Sequence, residues 1–270
     1  MLVIVCIKQV PDTTQVKIDP VTGNLIREGV PFIMNPFDTH ALEEGIRLKE
    51  RCGFSVVVIS MGPPNTEVTL RKALAQGVDD AILLSDRAFG GADTLATSKV
   101  LAEAIIRLNQ REEVAIVLCG KQTIDGDTAQ VGPGIATRLG YSQLTLVDHI
   151  KSIDMLSKKV TARRKLEGRE EIVEASLPVM ISVVREINTP RYPTVPLRLT
   201  AKEAIITLWN NNEMKLDDES IGLKGSATQV RKIFSPERAV GEILGDGTAN
   251  PEEAAGLLIG ELRQKGLLLI

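Results

Sequence analysis

Unbroken apolar runs alternate with amphipathic stretches over the first 140 residues of the chain. Residues 2–7, 55–60, 81–84 and 114–118 are short runs rich in Val, Ile and Leu, and they predict strands buried on both faces. Between them lie helical patterns. Asn35-Pro36-Phe37-Asp38 opens the first, with Asn35 or Asp38 as its cap and Ala41, Leu42, Gly45, Ile46 and Leu48 as its apolar stripe. Pro64 suits a first helical turn, and residues 66–76 form the second helix, closed by Gly77. Asp93 or Thr94 caps a third, which runs to about Asn109 with Leu95, Val100, Leu101, Ile105 and Leu108 facing inward. Residues 135–139 read as a fourth. A hairpin, Val16-Lys17-Ile18 and Leu25-Ile26-Arg27 about a turn at 19–24, precedes the first helix. Such alternation predicts an open, mostly parallel, doubly wound α/β sheet with right-handed crossovers.

After Tyr141 the pattern changes. Residues 145–150, 159–163, 171–175 and 179–184 are strand-like with short turns, and predict a mixed or antiparallel addition to the sheet. Pro190, Pro193 and Pro196 favour stiff, extended chain without ladder hydrogen bonds. Beyond Trp209 the polar groups Asn210-Asn211-Asn212 and Asp217-Asp218-Glu219 and the loose stretch 222–229 leave no independent core. Pro236-Glu237-Arg238 and Pro251-Glu252-Glu253 look like helix starts, the second followed by Leu257, Leu258, Leu262 and Leu267. The reading is a domain over 1–207 and a C-terminal arm over 208–270. The arm is apolar enough to dock, either on another protein or back on its own domain.

Composition removes several classes of function. A net charge of -3 and 3% aromatic residues give no footprint for nucleic acid. The apolar runs are far too short for a membrane span, and Lys8 follows the first at once with no cleavage site, so neither span nor signal peptide is expected. Cys6, Cys52 and Cys119 are odd in number and widely spaced, which argues against a disulfide framework or zinc site and fits a reducing cytoplasm. With only His40 and His149, no metal site and no Ser–His–Asp or Cys–His arrangement is supported. His40 reads as a surface helical residue, Cys6 and Cys119 as small core hydrophobes, and Arg163-Arg164-Lys165 as a solvated face.

What remains is the turn from Gly120 to Pro133, set between the fourth strand and a helix. Open parallel sheets bind ligands beyond the carboxyl ends of their strands, where unpaired amides and the helix dipole favour anions. The amides of residues 127–131 and the Thr128 hydroxyl can donate to phosphate. Gly126 and Gly132 allow close approach, and Gln122 and Gln130 can pair with ribose or phosphate oxygens. Asp125 and Asp127 would repel a phosphate, so at least one should cap the helix, accept from a ribose hydroxyl or bond backbone amides. The turn has neither a Walker lysine–hydroxyl pair nor dinucleotide-fingerprint spacing. By spacing alone it reads equally as an adenine-nucleotide cradle or as a plain polar turn before a helix.

Several blocks in one order resemble the beta subunit of electron transfer flavoproteins over nearly the whole length. They are Val16-Lys17-Ile18, Asn35-Pro36-Phe37, Ala41-Leu42-Glu43-Glu44, Ser60-Met61-Gly62-Pro63, Leu70-Arg71-Lys72-Ala73-Leu74-Ala75, Gly120-Lys121-Gln122 with Asp125-Gly126-Asp127 and Gln130, and Asn188-Thr189-Pro190-Arg191-Tyr192. The resemblance implies an adenine-nucleotide-binding fold and a heterodimer with a larger, flavin-carrying alpha subunit, which the C-terminal arm embraces. It implies nucleotide contacts from Cys6, Asn35, Pro36, Phe37, Asp38, Met61, Gly120, Gln122, Asp125, Gly126, Asp127, Thr128, Gln130 and Val131. It also implies a recognition loop at about 188–197 for a partner dehydrogenase, with Pro190, Arg191 and Tyr192 in it and Val195 in the anchor position, where a leucine is often found.

Some members of that family hold AMP; others hold FAD and bifurcate electrons from NADH. The block from Ser85 to Thr97 resembles the bifurcating group. The resemblance implies that Arg87 sets positive charge near a reduced flavin, that Gly90 and Gly91 admit a large ring, and that Asp93, Thr94 and Thr97 meet the pyrophosphate or flavin edge. The function so implied is an electron-transfer subunit that takes part in NADH oxidation only within its complex. One electron leaves for ferredoxin or flavodoxin, the other through the alpha-subunit FAD for an acyl-CoA dehydrogenase or similar partner. The alternatives are a non-bifurcating carrier with structural AMP and a homodimeric nucleotide-binding stress or signalling protein.

Overall fold

The computed structural model describes residues 1–12, 17–18, 25–26, 31–229 and 241–268. The chain divides into two units, Met1–Arg231 and Lys232–Ile270. The first is built on a nine-stranded sheet. Its parallel part comprises β1 (Leu2–Cys6), β6 (Ser55–Met61), β7 (Asp80–Leu84), β8 (Val114–Gly120), β9 (Ser142–Asp154), β12 (Val179–Val183) and β13 (Thr207–Trp209). β10 (Lys159–Leu166) and β11 (Arg169–Ser176) extend it antiparallel beyond β9, in the spatial order β11-β10-β9-β12-β8-β1-β6-β7-β13. Two small antiparallel pairs stand apart, β2 (Gln9–Pro11) with β5 (Phe32–Met34) and β3 (Lys17–Ile18) with β4 (Leu25–Ile26). The hairpin turn at 19–24 and the helix start at 236–238 lie outside the described residues.

Alternation along the central strands sends side chains to two cores. Val3 and Val5 face Leu42, Ile46 and Leu70 of α1 (Pro36–Cys52) and α2 (Glu67–Gln76). Ile4 and Cys6 share the other core with Val100, Ile105 and Ile135 of α3 (Thr94–Asn109) and α4 (Val131–Leu139). From β1 the chain winds one way through β6 and β7 and the other way through β8, so the winding reverses between β1 and β8. Cys6 and Cys119 sit side by side in register there.

Four expectations need correction. Leu95 is 48% exposed, because it lies off the stripe that Ala96, Val100, Leu101 and Ile105 bury. α4 begins at Val131, four residues early for a stretch that contains Gly-Pro-Gly. The glycines are there for contact. A Cβ on Gly132 would meet Cys119 Sγ at 2.8 Å, and one on Gly134 would meet Ser98 Oγ at 2.8 Å. Pro196 is not in extended chain but in the first turn of α5 (Val195–Glu203), where its missing N–H costs nothing. The Arg163-Arg164-Lys165 run is a paired ladder, bonded to buried Asp148 and to Glu171 and Glu186.

Of the two fates open to the arm, its first part takes the second. β13 pairs with β7, Trp209 and Ile221 are buried, and the Arg107 and Arg111 guanidinium groups lie 4.5 and 5.3 Å from the Trp209 ring. A short helix, α6 (Asn211–Met214), follows with a complete capping box from Asn210 and Glu213. In the second unit α7 (Pro251–Gln264) is capped by Asn250 and carries Leu257, Leu258 and Ile259, none of them buried. Among the described residues no helix is long and apolar enough to cross a membrane.

Candidate functional site

The candidate site forms where the ends of β1 and β8 meet the start of α1. Asn35, which is fully buried, is the N-cap residue of α1, yet its side chain does not cap: the Asp38 and Thr39 amides bond its carbonyl instead. Its side-chain amide donates to Gln122 O (2.9 Å) and its Oδ1 accepts from Ile124 N (3.2 Å), pinning the 120–130 turn to the helix start. Asp38 does not cap either. Its carboxylate reaches across the switch point and accepts from Lys8 N (2.8 Å) and Gly120 N (3.1 Å), closing two strand ends on one buried group. Phe37 packs under Arg185, 4.8 Å from ring centroid to guanidinium.

The turn is wired by side chains. Lys8 Nζ donates to Asp125 (2.7 Å) and Gln122 Nε2 to Asp127 (2.7 Å), so both aspartates take internal donors and neither caps α4. Lys8 belongs to no sequence motif, and its place directly after a buried strand is the signal that points to it. Thr94 Oγ1 donates to Gln130 Oε1 (2.7 Å), which joins the loop before α3 to the turn before α4. Arg138 adds bonds from α4 to Ser98 and to the Leu95 carbonyl.

Inside this frame, among the described residues, the backbone N–H groups of Thr128, Ala129, Gln130, Val131 and Gly132 have no protein acceptor. Asp127 and Ala129 both hold left-handed φ (50° and 55°), which costs on the order of 1 kcal/mol each for a residue with a Cβ. Unpaired amides at the start of a nine-residue helix, on backbone held in a costly conformation, suit an anionic ligand.

Cys6 and Cys119 are buried at the floor. Burial, and then the neighbouring thiol and Asp38, push Cys6 well up; burial, and then Asp38, push Cys119 up to about 12. Both stay protonated and unreactive, as core thiols do. Met61, half-buried at the end of β6 beside Leu84, lies along the same carboxyl edge of the sheet. Thr97 donates its amide to Asp93 O within the start of α3. Asp93 caps α3 through Leu95 N and Ala96 N, so its carboxylate works on the protein. Arg87 is not brought to the turn. It lines a hollow of about 250 Å³ with Ala88, Gly90, Asp218, Ile221 and Leu223. A larger cavity, about 410 Å³, lies away from the site between α2 and α5.

The loop at 188–197 is built onto α1. Asn188 bonds the His40 carbonyl and Glu44, and His40 Nδ1 sits 3.0 Å from Asn188 O, so His40 is a half-buried anchor and not a surface residue. Arg191 bonds Glu43 and Glu50. Those carboxylates push its guanidinium pKa up further, and Arg191 holds Glu43 below its usual range although burial alone would raise it. With Arg191 engaged, Tyr192 (94% exposed) and Val195 (68%) are the most exposed large apolar side chains of the loop.

Asp38 gives the site a pH signature. Burial pushes its carboxyl up to about 7, against bonds from Asn35, Lys8 N and Gly120 N that pull it down. An acid whose folded pKa is raised binds more protons folded than unfolded, so its contribution is complete below about pH 4 and is lost as pH rises toward 7. At about 1.4 kcal/mol per pKa unit the loss is at most about 4 kcal/mol. Urea unfolding of Asp38→Asn at steps from pH 4 to 7.5 is expected to lack this decline; an identical slope in both proteins would assign it to another group.

The chain as a whole resembles known proteins. Residues 22–214 match the family model described as electron transfer flavoprotein domain. The chain is 47% identical over 270 residues to the caffeyl-CoA reductase-Etf complex subunit CarD of Acetobacterium woodii, which covers 99% of this chain and 100% of that one. It is 47% identical over 235 residues to protein FixA of Azotobacter vinelandii (87% and 84%), and 46% identical over 278 residues to the electron transfer flavoprotein subunit beta of Thermoanaerobacterium thermosaccharolyticum (99% and 100%).

Proposed function

The chain belongs to the electron transfer flavoprotein family, among its beta subunits, and from that premise we propose that it binds FAD at the β1/β8 switch point. It does so as part of an electron-bifurcating complex. The electron donor is NADH. The acceptors are a ferredoxin or flavodoxin and, through the FAD of an alpha subunit, an acyl-CoA dehydrogenase-type partner. The observation that carries this reading is the row of free amides from Thr128 to Gly132, hydrogen-bonded through Gln130 to the loop at 85–97. That bond sets the loop beside the turn, where it can reach a ligand longer than AMP. The name of the Acetobacterium relative, a subunit of a reductase–Etf complex, supports the same side of the choice.

The donor set fits a dinucleotide. The amides of 128–132 and the Thr128 hydroxyl offer donors to a pyrophosphate, and Gln122 Oε1 and Gln130 Nε2, left free by their internal bonds, suit ribose hydroxyls. Bound FAD would supply the hydride and electron chemistry. The protein's part is to hold and shield it. Asn35 and Asp38 fix the turn, while Phe37 and Met61 supply apolar wall. Tyr192 and Val195, on a loop stiffened by Pro190 and Pro193, offer an apolar contact to the dehydrogenase at low entropic cost.

Flavin counting on the purified alpha–beta heterodimer tests the reading. Two FAD per dimer are expected, with NADH bleaching the flavin absorbance. One FAD and one AMP would replace bifurcation with simple electron carriage.

A further inference from the structure

The loop at 85–93 is clasped along its length by residues 210–228. At one end the Asp86 carboxylate accepts from Ala88 N (2.9 Å) and from Asn211 N (2.9 Å). At the other, one Asp93 oxygen caps α3 and the second accepts from Thr228 N (2.9 Å) and Thr228 Oγ1 (3.0 Å). Asp93 N donates to Ser226 Oγ (2.8 Å), which donates onward to Gly222 O (2.7 Å). Between the ends the fit is close. A Cβ on Gly222, whose φ is 55°, would lie 2.0 Å from Ala88 O, and one on Gly91 would lie 3.3 Å from Leu223 Cβ. Burial pushes the Asp93 carboxyl up, but the Ala96 and Thr228 bonds outweigh it and leave the group ionised.

Directly after the loop, the first residue of α3 touches the nucleotide turn through the Thr94–Gln130 bond. The loop is therefore held between a ligand cradle and the clasp. With Gly90 and Gly91 at its tip, a loop freed of the clasp gains many conformations, all of which a ligand would have to remove on binding.

We propose that Ser226 and Thr228 are positioning residues for the part of the ligand that extends beyond the adenosine phosphate. They act through Asp93, which sets Thr94, Thr97 and the start of α3. This rests on the reading of the site as one for FAD. It separates two ligands that share a turn: AMP needs only the amides of 128–132, whereas FAD needs the loop as well.

The test uses the heterodimer with its alpha-subunit FAD retained, titrated at the beta site with FAD and, separately, with AMP. Ser226→Ala combined with Thr228→Val is expected to weaken FAD binding about tenfold, the scale of losing one hydrogen bond that Thr228 donates to a charged carboxylate and one that Ser226 accepts from the Asp93 backbone amide. AMP affinity stays within about twofold, and Thr228→Ser, which keeps the hydroxyl, restores FAD binding. Equal losses for FAD and AMP would show a general structural role and overturn the proposal, as would unchanged FAD binding. Should the double variant fail to fold, Ser226→Ala alone, which leaves both Thr228 bonds in place, gives the same contrast at smaller size. A wild-type dimer that takes no second FAD would remove the FAD reading itself, whereas wild-type uptake with an unaltered variant would remove the clasp alone.

Discussion

Replacing Gly120 with alanine is expected to cost about 3 kcal/mol or more and to abolish the nucleotide binding proposed for the switch point. The new Cβ would lie 2.5 Å from Asp38 Oδ1, 2.6 Å from Phe37 Cβ and 2.7 Å from the Phe37 carbonyl carbon. The last is backbone in the first turn of α1, so relief requires the helix to back away from β8. That movement would break the Gly120 N bond to Asp38 and strain the Asn35 bonds that hold the turn. Gly126→Ala is the control. Its Cβ meets only Thr123 Oγ1 at 3.4 Å, and the change is expected to fall within about 0.5 kcal/mol of wild type. Urea midpoints on both variants, with AMP titration of Gly120→Ala, decide the matter; equal midpoints would mean that the contact between β8 and α1 has slack.

The same residues show what could be read from the chain and what could not. β1, β6, β7 and β8 were legible because a strand covered on both faces must be continuously apolar. The start of α4 was not, since Gly132-Pro133-Gly134 has the chemistry of a loop and becomes helical only because Cys119 and Ser98 demand small neighbours. An acid in a first helical turn ordinarily signals a cap. Asp38 departs from that signal because its partners, Lys8 N and Gly120 N, are 30 and 82 residues away and are brought together by sheet order alone.

The candidate site divides along the same line. That the 120–133 turn is a candidate for an anion is legible locally, since a strand-to-helix change predicts where free amides arise, although by spacing alone a plain polar turn reads equally well. How its side chains are deployed is a long-range matter. Asp125 answers to Lys8 across 117 residues, and Gln130 to Thr94 across 36. Arg191 reads as a contact for a partner, yet Glu43, one helical turn from Arg47 in α1, takes it inward. Tyr192 and Val195 stay outside while Asn188 and Arg191 are drawn onto α1.

Trp209→Ala is expected to lower stability by about 3–5 kcal/mol, the range for a large aromatic removed from a core. Trp209 is 2% exposed, caps the edge of the sheet through β13, and lies under Arg107 and Arg111. Truncation would remove its buried area and two cation–ring contacts, each worth about 0.5–1 kcal/mol at partly exposed sites. Leu208→Ala, at a neighbour that is 50% exposed, is expected to change stability by less than about 1 kcal/mol. The effect should also reach beyond the edge strand. Trp209 O accepts from Ser85 N, the first residue of the loop at 85–93, and the chain two residues on bonds Asp86. Hydrogen exchange in Trp209→Ala should therefore quicken at Ser85 and Ala88 before it quickens at β1 or β8. Uniform acceleration across the sheet would mean that β13 shares one cooperative unit with the strands of the switch point. Selective acceleration would show that the loop owes its order to β13 and the segment that follows it.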